Sequence, residues 1–335
     1  MASNTGVRTI AATVAASLVC LGATVAVAQG DNGYTNLQVL DPDIPREQLG
    51  MAMLQNTLGL GLPRRQREGC LFCHVGDMDQ PVDEWDFASD EKETKLKARA
   101  MMAMVMDING DHLAQLVHRI DDTYSVSCVT CHAGRTDPRP LPDVLRETHA
   151  ADGIEATVGK YRELRNRHFG AGAYDFRPAV LVRLANGLAQ SGAWDDALAL
   201  ARLNEEVHPG DTTAASARMS MQVARQIDEQ GVAVALDYFD RERGKEAAGV
   251  VDHSILDGLG WDIYRQERVD EALQIFRRNL QLYPAEYIPN ESLGDALWFS
   301  DDKPGGIAVF ESWVEQNPGN DMGRRRLLNM REELP

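Results

Sequence analysis

Two copies of a single five-residue pattern constrain this 335-residue chain more than anything else in it: Cys70-Leu71-Phe72-Cys73-His74 and Cys128-Val129-Thr130-Cys131-His132. Two thiols at that spacing can reach the two vinyl groups of one porphyrin, and the adjacent imidazole is then held under the iron. This is the attachment pattern of a c-type haem. It predicts two covalently bound haem c groups, on Cys70 and Cys73 and on Cys128 and Cys131, with His74 and His132 as proximal iron ligands. The fifth cysteine, Cys20, lies in the apolar amino-terminal stretch, so the two runs use every cysteine beyond it. Three other readings of the thiols compete. A zinc ribbon pairs its Cys-x-x-Cys units about 15–20 residues apart, whereas Cys70 and Cys128 are 58 apart and each pair is followed at once by His. A thioredoxin-like pair needs a βαβ setting, and the flanking segments read as helical. Structural disulfides suit an oxidising compartment.

The amino terminus predicts such a compartment. Arg8 is the only charge before Asp31, and an apolar stretch from Ile10 to Ala28 ends in Ala26-Val27-Ala28. A small-x-small end is a cleavage signal. Residues 1–28 therefore read as a signal peptide, with Gln29 as the mature start and a periplasmic destination, peripheral at most on the periplasmic side of the inner membrane. The stretch is marginal in length for a retained anchor. With 34 basic and 51 acidic residues the net charge is −17, and loss of Arg8 makes it −18. Nucleic acid and anionic lipid both call for basic patches. A basic or neutral redox partner, soluble or membrane-bound, is the natural counterpart.

Composition divides the chain near residue 145. Residues 29–145 hold both Cys-x-x-Cys-His runs and most of the Met, and Pro138, Pro140 and Pro142 read as a connector. Residues 146–335 have no Cys and a helical pattern that repeats. Gly260, Ala272, Phe276 and Pro284 recur 34 residues later as Gly294, Gly306, Phe310 and Pro318, and Ala185, Ala197 and Pro209 form an earlier copy. A degenerate copy fits around Gly231 to Phe239. The period, with small residues where two helices touch and Pro where the second ends, resembles the tetratricopeptide repeat. Stacked helix pairs bury their apolar faces between neighbours and leave a concave surface that binds protein. A non-repeating helical bundle is the alternative.

Around the Cys runs the pattern is helical too. Pro45 opens a helix through Leu58 that Gly59 and Gly61 close. Asp90 and Glu91 lead a second, from about Lys92 to Ile120, the acids placed well for its dipole. Met commonly fills the sixth position of an electron-transfer haem and raises its potential. The first helix offers Met51 and Met53, and the second Met101, Met102, Met104 and Met106. Met is also a common core filler, and His112 and His118 on the second helix are rival ligands.

Tyr34 to Gly134 resembles half of the photosynthetic reaction-centre cytochrome c subunit. The matching residues are Met51 with Thr57-Leu58-Gly59, the first Cys run with Val75-Gly76, then Phe87-Ala88-Ser89, Lys95 and Ala98-Arg99-Ala100-Met101-Met102. They continue with Asp107-Ile108-Asn109 and Val129-Thr130-Cys131-His132. In that family a helix ahead of each haem supplies an axial Met. Carried over by position, the resemblance implies Met51 for the first iron, with Met53 as rival, and Met101 for the second, with Met102 and Met104 as rivals. Better-known members carry four haems and this chain has two sites. Gln115 stands where one of the missing haems takes a His ligand, and Ala133 where an Arg commonly follows the second His.

The predicted fold is all-α: a dihaem cytochrome domain of helices and loops, then a tetratricopeptide-like α-solenoid. The predicted function is electron transfer between redox partners, a photosynthetic reaction centre being the acceptor the resemblance implies, with the repeats for docking. The competing reading is a dihaem redox enzyme such as a peroxidase, which needs one iron with an open sixth position. Met-bearing helices ahead of both sites argue for the non-enzymatic reading.

Overall fold

The computed structural model describes residues 33–63, 65–116, 125–247 and 249–333. The proposed signal peptide and His118 lie outside them. Among the described residues no helix is long and apolar enough to cross a membrane, and no strand forms. A single antiparallel bridge joins Val75 to Asp86. The chain falls into two compact units that meet between Pro138 and Arg139.

The boundary comes before residue 145 because the proline-rich stretch is part of a helix. Helix α4 (Leu141–His168) takes Pro140 as its N-cap and holds Pro142 in its first turn. There a missing backbone N–H costs nothing and the fixed φ favours the helix. Leu141 and Leu145 are buried within the second unit.

Among its described residues the first unit has three α-helices, α1 (Arg46–Gly59), α2 (Glu93–Asp107) and α3 (Cys128–His132), with 3-10 turns at Arg65–Phe72, Val82–Glu84 and Leu113–Gln115. Helix α1 starts after Pro45 and ends at its glycines as predicted. Helix α2 is shorter than predicted: its α-helical part stops at Asp107 and a π-helical turn, Ile108–His112, follows. Asn109 and Gly110 are weak helix formers, and the Asn109 side chain is taken up elsewhere. Its Nδ2 donates to the Val126 carbonyl at 2.9 Å, and its Oδ1 accepts from the Val126 N–H at 2.8 Å.

The second unit is a run of helices. After α4 come α5 (Pro178–Gln190), α6 (Trp194–Val207), α7 (Thr212–Gln230), α8 (Val232–Arg243) and α9 (His253–Arg265). They are followed by α10 (Val269–Leu282), α11 (Tyr287–Phe299), α12 (Lys303–Gln316) and α13 (Asp321–Glu332). Helices α9 and α11 start 34 residues apart, as do α10 and α12, which is the period read from the sequence. The degenerate copy is the pair α7/α8: Gly231 turns between them at φ 88°, and Phe239 is fully buried. Successive clusters of buried side chains span α4 to α7, α7 to α11 and α11 to α13. Each cluster is thus shared by helices that are near neighbours in sequence, as in a repeat stack.

Two glycines set the distance within pairs. A Cβ on Gly260 would fall 2.5 Å from the Phe276 ring, and one on Gly294 2.5 Å from the Phe310 ring. The repeat also carries a buried amide that the sequence reading missed. Asn204 donates to the Pro178 carbonyl at 3.1 Å and Asn279 to the His253 carbonyl at 3.0 Å, each hooking the second helix of a pair to the start of the first.

Candidate haem sites

The first Cys run enters through the 3-10 turn Arg65–Phe72 and leaves into a loop that folds back on it. Gly76 lets the buried Trp85 ring lie where a Cβ would stand, 2.5 Å away, and the Trp85 indole N–H donates to the Asp77 carbonyl at 2.8 Å. This places the Phe87 ring 5.0 Å from the His74 ring, edge to face. The Phe87 carbonyl lies 3.2 Å from His74 Nδ1. A carbonyl can only accept, so Nδ1 carries the proton and Nε2 keeps its lone pair, the tautomer an iron ligand needs. Burial, reinforced by the charge of Lys95, pushes the His74 pKa down and holds the ring neutral. Burial likewise pushes the Cys73 thiol up, against a hydrogen bond from Thr94.

The same loop is gripped by α2. Lys95 Nζ donates to the carbonyls of Phe87, Ala88 and Ser89 at 2.9, 2.9 and 2.7 Å and pairs with Asp90 at 3.2 Å. Arg99 pairs with Asp90 at 2.8 Å and donates to the Asn36 carbonyl at 2.8 Å. Lys92 and Thr94 donate to the Leu71 and Phe72 carbonyls inside the Cys run. Hydrogen bonds, from Arg99 above all, hold the Asp90 carboxyl down at about 2.

The second Cys run is itself α3. Ser127 caps it in a capping box, its backbone N–H donating to Thr130 Oγ1 at 3.0 Å, and the Asn109 clamp on Val126 fixes its entry. His132 Nδ1 lies 2.8 Å from the Arg135 carbonyl, which selects the same tautomer as at His74. The end of α1 abuts this run. A Cβ on Gly59 would sit 2.7 Å from Cys128 Cβ, and one on Gly61 would overlap the Gly134 carbonyl. The Gly134 N–H donates to the Gly59 carbonyl at 2.9 Å. The pair read as helix closers therefore also forms a contact surface for a Cys run some 70 residues away.

Both Cys pairs and both histidines line one cavity of about 990 Å³. Its α1 wall is Arg46, Leu49, Gly50, Met53, Asn56 and Thr57, continued by Leu60 just past the helix end, the 3-4 spacing of one helix face. On α2, Thr94, Ala98, Met101, Met102, Met104 and Val105 line the facing side. Met101 thus reaches the cavity. Met51 does not: it lies on the other face of α1, 52% exposed, in an open apolar stripe with Leu54 and Leu58. His112 is exposed on the π-helical turn and does not line the cavity. Asn56 joins the two helices to the second site, donating to Met102 Sδ at 3.5 Å and accepting from Cys128 Sγ at 3.3 Å.

These residues fit a covalently attached haem at each run. All four thiols are free, both imidazoles are oriented through Nδ1, and the walls are apolar and rich in Met. Among the described residues no three His, Cys, Asp or Glu side chains converge as a metal site of their own. Paired thiols, an oriented imidazole and thioethers on facing helices define the class of c-type cytochromes. The family model of the photosynthetic reaction centre cytochrome C subunit matches residues 2–172, just over half of the chain, and the chain belongs to that family. No curated protein matches the sequence. A solved structure, MamA 41-end from Desulfovibrio magneticus RS-1, shares 14% identity over 54% of this chain and 95% of its own, with a TM-score of 0.28.

Proposed function

We propose that the protein is a periplasmic dihaem cytochrome c that passes electrons between redox proteins and docks through its helical repeats. Membership of a reaction-centre cytochrome family supports electron transfer and a redox-protein partner. The observation that carries the count of two is the cavity onto which both Cys-x-x-Cys-His sets open. His74 and His132 would each bind one iron, and Met101 would be the second ligand at the second site. Met51 holds the family position for the first iron, with Met53, which lines the cavity, as its rival. The open stripe of Met51, Leu54 and Leu58 supports Met51, because an apolar surface of that kind calls for an apolar cover. Bound haem supplies reversible one-electron chemistry; the chain supplies its orientation, dielectric and ligands.

The photosynthetic reaction centre is one acceptor this reading admits, and a respiratory complex another. Sulfur ligation at both irons leaves no open position for peroxide, which favours the carrier over the peroxidase. A pyridine haemochrome assay against protein mass is the test, and two haems per chain is the expected result. One or none, in a host competent for haem attachment, refutes the proposal.

A further inference from the structure

Lys95 is 8% exposed and Arg99 9% exposed, and they share one carboxylate, Asp90. The cluster therefore buries one positive charge more than it neutralises. Its position is specific: Lys95 Nζ and His74 Nδ1 both bond to the Phe87 carbonyl, at 2.9 and 3.2 Å. The lysine is thus two hydrogen bonds from the imidazole that takes the first iron. His132 is oriented by a different group, the Arg135 carbonyl.

We infer that Lys95 is a positioning and tuning residue that raises the reduction potential of the haem on Cys70 and Cys73, with Asp90 acting in the opposite sense. The inference rests on the dihaem reading above. Two effects act with one sign. Reduction lowers the charge on the iron by one, so a buried ammonium nearby favours the reduced state. A carbonyl already held by an ammonium is also a weaker acceptor for the Nδ1 proton. The imidazole then donates less to the iron, which again favours Fe(II).

The experiment is a spectroelectrochemical titration of the full-length holoprotein, with a Cys70→Ala/Cys73→Ala variant identifying which midpoint belongs to the first haem. Lys95→Met is expected to lower that midpoint by about 59 mV, a tenfold change in a one-electron equilibrium, and to leave the other unmoved. Asp90→Asn is expected to raise it, and Lys95→Arg to restore most of the loss. A lysine that merely tethered the loop would not give shifts of opposite sign from two members of one cluster. An unmoved first midpoint in both variants, or shifts in the same direction, overturns the inference. If Lys95→Met fails to mature, Asp90→Asn decides alone, and an unmoved midpoint overturns it. Haem counts on the same samples separate the two levels: a count below two removes the dihaem reading and this inference with it, whereas two haems with unmoved midpoints remove the inference only.

Discussion

Individual residues divide into those whose role is visible in their spacing and those whose role appears only when distant segments meet. Cys70, Cys73, His74 and their counterparts belong to the first group, because two thiols and an imidazole must be adjacent to hold one porphyrin edge. Lys95, Asn56 and Asn109 belong to the second. Lys95 and Asn109 stand out in sequence only as positions of the family resemblance and Asn56 not at all, and only the fold shows that they grip the loop behind His74, clamp Val126 and join Met102 to Cys128. Met51 and Met53 are two residues apart and so face opposite sides of one helix. The weak far-red band of Met–Fe(III) separates them: Met51→Ala and Met101→Ala should each remove about half of it, and Met53→Ala should leave it whole. Loss in Met53→Ala with retention in Met51→Ala would transfer the first ligand to Met53. Asp90 carries a pH signature. Its carboxyl is held at about 2, below its usual 3.8. The stability it contributes is therefore complete above pH 3.8 and is lost as the pH falls towards 2. Asp90 is more than a third exposed, so solvent screening keeps the contribution small. Acid titration of Asp90→Asn should lack a loss of loop order in that window that the parent shows by hydrogen exchange at residues 87–90.

At the scale of elements, the repeat was legible down to its contact residues. The period picked out Gly260, Phe276, Gly294 and Phe310 as recurring positions, and the fold packs each phenylalanine onto the glycine of its own helix pair. Periodicity carries this information because each pair meets its neighbour in the same way. The first unit was harder to read: its helices end where they must meet a Cys run, so Gly59 and Gly61 looked like stops and the π-helical turn after Asp107 looked like more helix. Two glycines test the packing with opposite signs. Gly260→Ala drives a methyl into a fully buried ring and should destabilise by about 1–2 kcal/mol, the usual cost of overpacking less the helix preference of Ala. Gly187, exposed within α5 with open space around it, should give about 0.5–1 kcal/mol of added stability as Ala. Thermal melts of the two variants check both. If Gly260→Ala were as stable as its parent, the Gly–Phe contact would not set the pair spacing.

Over the whole molecule, the two compact units divide chemistry from shape. The four thiols of the Cys-x-x-Cys-His runs, with His74 and His132, lie in the first, while the second offers buried helix faces and paired surface charges. Residues 139–335, expressed alone, should give a helical circular-dichroism spectrum with no Soret absorption. Their removal should leave the haem spectrum intact and weaken electron transfer to the native partner. An unchanged rate and affinity for that partner would rule out docking through the repeats.

The single cavity behind both Cys runs gives assembly a history. Whichever group is attached first becomes part of the wall against which the second is fitted, because Cys70, Cys73, Cys128 and Cys131 all open on the same space. On the dihaem reading, maturation of the two sites would be interdependent, with the half-loaded chain a scaffold for its own completion. Cys73→Ala or Cys131→Ala should accordingly lower the yield at the untouched site as well. Independent yields would mean that each run forms its binding surface by itself.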